Sequence, residues 1–183
     1  PRFQARAAVA LGNYEFAHDI LSLEIDKAPD DKAELLWLRG QVSLAACEDS
    51  ESQSDRQTEL KQALSDFLEA EALFNGKNGR LLVDLAKAYK WLGANESAQE
   101  ACTKAMVVQN DLPEAYRIRA LAQQRFDTAS KAVDDLQTAI AMDPSNGEYY
   151  YDLGDAWSFI RGSEKKAEAA YRKAHALGFK AAE

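Results

Sequence analysis

The chain has 183 residues, 46% of them hydrophobic and 28% charged, and its 30 Asp and Glu outweigh its 22 Lys and Arg to give a formal net charge of -8. Such an acidic balance argues against nucleic acid as a partner, because a phosphate backbone needs a basic footprint. No apolar run approaches the ~20 residues of a membrane span, which excludes direct membrane insertion.

Only four prolines and nine glycines occur, and Val, Ile and Thr do not alternate with polar residues, so helix is expected throughout. The two cysteines, Cys47 and Cys102, are too few for a disulfide framework, and Cys102 falls among helical core positions as a buried free thiol. That leans toward a reducing, cytoplasmic compartment and leaves a periplasmic one open. No signal peptide is visible. The chain opens at Pro1 without a methionine, which suits a piece of a longer protein.

In chain order, residues 1–11 are expected as a short helix, turned at Gly12 into a second that closes at Pro29. Leu36, Arg39, Gly40 and Ser43 then mark one helical face, and Ala63, Phe67 and Ala70 mark the next. Both patterns recur. Leu82, Leu85, Ala86 and Tyr89 precede Ala98, Cys102 and Ala105. Tyr116, Arg119, Ala120 and Gln123 precede Ala132, Leu136 and Ala139. Tyr150, Leu153, Gly154 and Trp157 precede Ala167, Tyr171 and Ala174. The second-helix pattern returns at intervals of about 35 residues, so each repeat is a pair of amphipathic helices of about 13–15 residues. Ser145 with Glu148, and Asp111 with Glu114, read as capping boxes at the starts of first helices. Gly93 and Gly162 take the turns, and Gly178 suits the end of the last helix.

This pattern resembles the tetratricopeptide repeat (TPR): a bulky residue, Leu-Gly or Leu-Ala and an aromatic, then Ala, an aromatic and Ala, with a terminal proline at Pro29 and Pro144. The resemblance implies an all-α, right-handed superhelical solenoid of antiparallel helix hairpins. One array would fill 1–183, with a partial unit at 1–31 and units at 32–77, 78–112, 113–146 and 147–179. The small residue at Gly154, and at Gly40, Ala86 and Ala120, lets the first helix approach the second helix of its own hairpin, with Ala167 and its equivalents as the matching small surface.

Two departures stand out. Arg39 and Arg119 occupy the usual leucine position. A guanidinium there either pairs with a neighbouring acid or serves as a donor to a ligand, because an unpaired buried charge is costly. The unit at 32–77 carries about eleven extra residues, expected as a mobile acidic loop over 47–57 with lengthened helix ends as a variant. Within it, Ser52 and Asp55 form a weak acidic phosphorylation pattern.

His18 and His175 have no partner at ligand spacing, so no metal and no cofactor is expected. No GxSxG, P-loop or dinucleotide motif occurs, and the abundant acids fall at solvated helical positions. No catalytic residue is therefore assigned, and the chain is read as a non-enzyme. The family resemblance places binding on the first helices, which line the concave face. The residues so assigned are Trp37, Gln41, Val83, Asp84, Lys87, Lys90, Trp91, Arg117, Leu121, Gln124, Tyr151, Asp152, Asp155 and Phe159. The aromatics are anchors of the kind enriched at hot spots. One TPR subclass grips a carboxylate at the C-terminus of chaperone tails. Its lysine and asparagine set does not map here, and Asp84 and Asp152 would repel that ligand. The expected function is a scaffold that holds a peptide or helix of a protein partner. The alternatives are a self-assembling homo-oligomeric module, and a regulatory or targeting domain of a larger protein.

Overall fold

The computed structural model describes residues 2–123 and 128–180. Among the described residues the chain is all-α, with ten α-helices, one 3-10 turn and no strand. It divides into two compact units, Pro1–Ala94 and Asn95–Glu183. The sequence repeat at 78–112 contributes one helix to each.

The first unit holds α1 (Arg2–Ala10), α2 (Tyr14–Lys27), α3 (Lys32–Asp49), α4 (Gln53–Leu73) and α5 (Gly79–Trp91). Successive helices pack against each other, and α3 also touches α1 and α5. That second-neighbour contact is what stacked hairpins produce. Ala5, Ala8, Ala17, Leu21, Leu35 and Val42 form one core cluster. Asn13 and Asn78 cap α2 and α5 by accepting from the amides of Phe16 and Leu81.

The expected loop over 47–57 is a correction. α3 runs to Asp49 and α4 begins at Gln53, so only Ser50–Ser52 lie between the helices. The extra residues lengthen both helices because Gln, Arg, Glu, Leu and Lys in "QSDRQTELKQAL" are good helix formers. Ser52 caps α4, its hydroxyl accepting from the Asp55 amide at 3.3 Å.

The second unit holds α6 (Asn95–Val108), α7 (Pro113–Ala122), α8 (Ala129–Met142), α9 (Gly147–Ser158) and α10 (Glu164–Ala176). Again neighbours pack in sequence, and α7 touches α9. Ala120, Ala132, Val133, Leu136, Leu153, Ala156 and Ala170 form its core, with Trp157 packed against them. Burying one such leucine stabilises the fold by roughly 1.5–3 kcal/mol.

Neither capping box forms. Pro113 opens α7 after Leu112 without a side-chain cap, and Asn146, not Ser145, caps α9 by accepting from the Glu148 amide. Proline at the first position supplies the right φ and lacks an amide that would need capping. Glu114 and Glu148 are thereby released for another role.

The close approach at the small residues is shown directly. A Cβ on Gly154 would stand 2.5 Å from the Tyr171 ring, and one on Gly40 would stand 2.5 Å from the Phe67 ring. The sequence pattern points to an alanine as the partner of the small residue. The structure instead lays the aromatic ring of the second helix over it. Where the small residue is Ala120, the equivalent second-helix residue is Leu136, with no ring to accommodate.

Candidate binding surfaces

The two unusual arginines pair with acids of their own hairpins. Arg39 grips Asp66 through two bonds, Nε to Oδ2 at 2.8 Å and Nη2 to Oδ1 at 2.7 Å. Arg119 grips Asp135 in the same way, at 2.8 and 2.6 Å. Such forked pairs are strong and fix orientation. The hydrogen bond to the aspartate outweighs burial and raises the pKa of each arginine. Asp66 and Asp135 are buried. Neither guanidinium is therefore a donor held ready for a ligand.

On the first-helix side of the first unit, Asp84 of α5 joins two residues of α3. One carboxylate oxygen accepts from Trp37 Nε1 at 2.8 Å and from Gln41 Nε2 at 2.7 Å. The Trp37 ring also meets Phe74 edge-on, with centroids 6.5 Å apart. Three of the assigned residues thus meet, as a fixed polar node. Lys87 and Lys90 are half-buried on the same helix, Trp91 at its end is 50% exposed, and Val83 is buried in the core.

In the second unit Arg117 of α7 is held by three carboxylates. Its Nε donates to Asp152 at 2.5 Å, Nη2 to Glu148 at 2.5 Å and Nη1 to Glu114 at 3.2 Å. Burial works to lower the Arg117 pKa, but the three acids outweigh it and the net direction is upward. Burial also pushes the Asp152 carboxyl up, against the pull of Arg117. Tyr149 donates toward Glu114 at 3.4 Å, and its phenol is pushed up to about 12, chiefly by burial.

Glu114, Glu148 and Tyr149 are site residues that the sequence reading does not pick out. The available signal is register: Arg117 and Asp152 are 35 residues apart, one repeat, on adjacent first helices.

The other assigned residues that the structure describes in this unit do not join this cage. Tyr151 packs on Tyr171 and Phe179, with centroids 5.4 and 5.2 Å away. Asp155 accepts from the Tyr171 hydroxyl at 2.7 Å. Both face α10 and its end. Leu121 is half-buried, Phe159 is 39% exposed, and Gln124 lies outside the described residues. Among the described residues no cluster of three His, Cys, Asp or Glu is placed to hold a metal, and no helix is long and apolar enough to cross a membrane.

No protein-family model matches the sequence, and no curated protein sequence matches it. Solved structures do resemble it. MamA from Desulfovibrio magneticus RS-1, beginning at residue 41, superposes with a TM-score of 0.75 and 18% identity over 97% of this chain and 92% of that one. TTC0263, a thermophilic TPR protein of Thermus thermophilus, gives 0.74 and 20% over 97% and 89%. The TPR domain of Arabidopsis OM64 gives 0.54 and 22% over 78% and 96%. With the helix hairpins and the repeat register, these likenesses show that the chain has the TPR fold.

Proposed function

We propose that the chain is a non-enzymatic protein-interaction module that binds a peptide or helix of a partner protein on its first-helix faces. The observation that carries this reading is a pair of exposed aromatics. Trp91 (50% exposed) and Phe159 (39% exposed) stand at the same register position, at the ends of α5 and α9, one in each unit. Large, half-exposed aromatics are the side chains that most often anchor an interface. Asp84 of the fixed node is on the same helix as Trp91, and Glu148 and Asp152 of the Arg117 cage are on the helix that ends before Phe159. With three carboxylates already on Arg117, the second unit favours a partner that brings an amide or a cation rather than a carboxylate.

The test is affinity capture from the native extract with the intact chain and with Trp91→Ala/Phe159→Ala. Both substitutions are on the surface, and circular dichroism should be unchanged. Loss of the captured partner supports the reading. Equal capture by a folded double variant moves the interface elsewhere.

A second reading, self-assembly, has its own support. The α1–α2 hairpin exposes Phe3 (92%), Leu11 (84%), Phe16 (53%) and Leu23 (59%). Apolar surface of this kind is what a second copy would cover. A clean monomer in concentrated sedimentation runs would contradict it.

A further inference from the structure

The lengthened α4 has a second consequence in the first unit. A groove of about 440 Å³ lies between α2 and α4, floored by Val42 of α3. One wall is Tyr14, Glu15, His18 and Asp19; the other is Thr58, Glu59 and Gln62. Thr58 and Glu59 stand in the second turn of α4, just past the stretch 47–57 expected as loop. None of the lining residues belongs to the Asp84 node.

The walls carry three carboxylates, and none of the lining residues is lysine or arginine. Glu48 and Asp49 at the end of α3 extend the same sign, with Tyr14 donating to Asp49. Arg56, three residues before Glu59 on α4, donates its Nε to the Ser50 carbonyl at 2.7 Å, and the arginine bonded into the network beneath the groove is committed as well. Arg39 binds Asp66 twice and donates to Ser22 Oγ at 3.0 Å. Groove residues are tied into that network: Gln62 donates to Asp66 at 3.1 Å, and Ser22 donates to the His18 carbonyl at 2.8 Å. The groove is therefore braced from below, and its acids have no counter-charge among the lining side chains.

We propose that this groove is a second docking surface, separate from the first-helix faces, and that its occupant is a basic peptide segment of a partner protein. A lysine or arginine stem lies along the half-buried Tyr14 ring, above the floor at Val42, and its charged head reaches Glu15, Asp19 and Glu59. Stem burial with a paired head is how long cations use such surfaces. Charge complementarity of this kind governs selectivity and association rate.

The probe is a fluorescein-labelled synthetic peptide of alternating lysine and alanine, titrated with the intact protein at low salt and at physiological salt. Four variants accompany the parent. Glu15→Gln/Asp19→Asn/Glu59→Gln removes the groove charge. Asp134→Asn/Glu164→Gln/Glu168→Gln removes equal charge from exposed positions of the second unit. Thr58→Trp fills the groove without changing charge. The groove variant is expected to bind about tenfold more weakly or worse, the distant variant within about twofold of the parent, and Thr58→Trp to lose binding despite unchanged charge. Equal weakening by the two charge variants, or full binding by Thr58→Trp, would mean diffuse attraction to an acidic protein and would overturn the proposal. So would an absence of binding at low salt. Trp91→Ala/Phe159→Ala should bind this probe normally, so failure here is distinguishable from failure of the first-helix reading.

Discussion

Two hairpins of the second unit solve one packing problem with different chemistry. In α9–α10, Leu153 is matched by Ala170, Gly154 lies under the Tyr171 ring, and Trp157 packs beside them. In α7–α8, the same positions hold Arg119 forked onto Asp135, Ala120 with Leu136, and Gln123. The hairpin backbone is common to both, and each substitution has its complement on the facing helix. A large apolar residue meets a small one, a guanidinium meets a carboxylate, and a ring requires a glycine. The α3–α4 hairpin of the first unit mixes the two, joining the charged pair Arg39–Asp66 to the ring-and-glycine pair Phe67–Gly40. The pairs at adjacent positions are therefore separable modules of the core.

The largest effect should come from breaking the charged module on one side. Asp135→Ala leaves Arg119 partly buried without its acid. Removing one partner of a buried pair costs about 3–5 kcal/mol, and the 25% exposure of the Arg119 side chain places this case near the low end of that range. Urea unfolding measures it.

Next is the ring-and-glycine module. Gly154→Ala sets a methyl 2.5 Å from the Tyr171 ring. Overpacking costs about 1–3 kcal/mol, and the better helix propensity of alanine returns up to ~1. Adding Tyr171→Leu recreates the Ala-and-Leu arrangement of α7–α8. The double variant should unfold later than the sum of the single losses predicts.

The Tyr149 phenol gives a pH test on the α7–α9 contact. Its folded pKa, about 12, lies above the ordinary value near 10. The folded state holds the proton longer, so this contribution is full below pH ~10 and is lost as pH rises toward ~12. Tyr149→Phe should remove about 1 kcal/mol of that alkaline loss while Tyr14 and Tyr171 continue to titrate. An unchanged pH–stability slope in this window would contradict the assignment.

A smaller effect separates the two charged hairpins. Arg39→Leu/Asp66→Ala removes the acceptor of the half-buried Gln62 amide, while Ser22 keeps its bond to the His18 carbonyl; Arg119 and Asp135 bond to each other. A loss of up to about 1 kcal/mol more than in the equivalent α7–α8 variant is expected from the Gln62 amide.

Much of this is legible in the sequence. The repeat interval, the helix pairs, the turn at Gly93 and the small residue at Gly154 all follow from spacing. The charged pairs are written there too, but less plainly. Asp66 and Asp135 stand immediately before Phe67 and Leu136, where the repeats with leucine have Ala101 and Ala170. Acids in amphipathic helices are usually solvated, and that prior hides the correlation. The lengthened α3–α4 hairpin passes for loop when acid and serine content is weighed above helix propensity. The cage around Arg117 joins residues a full repeat apart. Local capping patterns claim Glu114 and Glu148 before the long-range partner is considered.

The most direct test of the modular core is Arg119→Leu/Asp135→Ala, which installs the Leu-and-Ala pair of α9–α10 in α7–α8. Equilibrium urea unfolding should place the double variant within about 1 kcal/mol of the parent and well above Asp135→Ala alone. A double variant as unstable as the single one would show that the pairs are not exchangeable and would contradict the account.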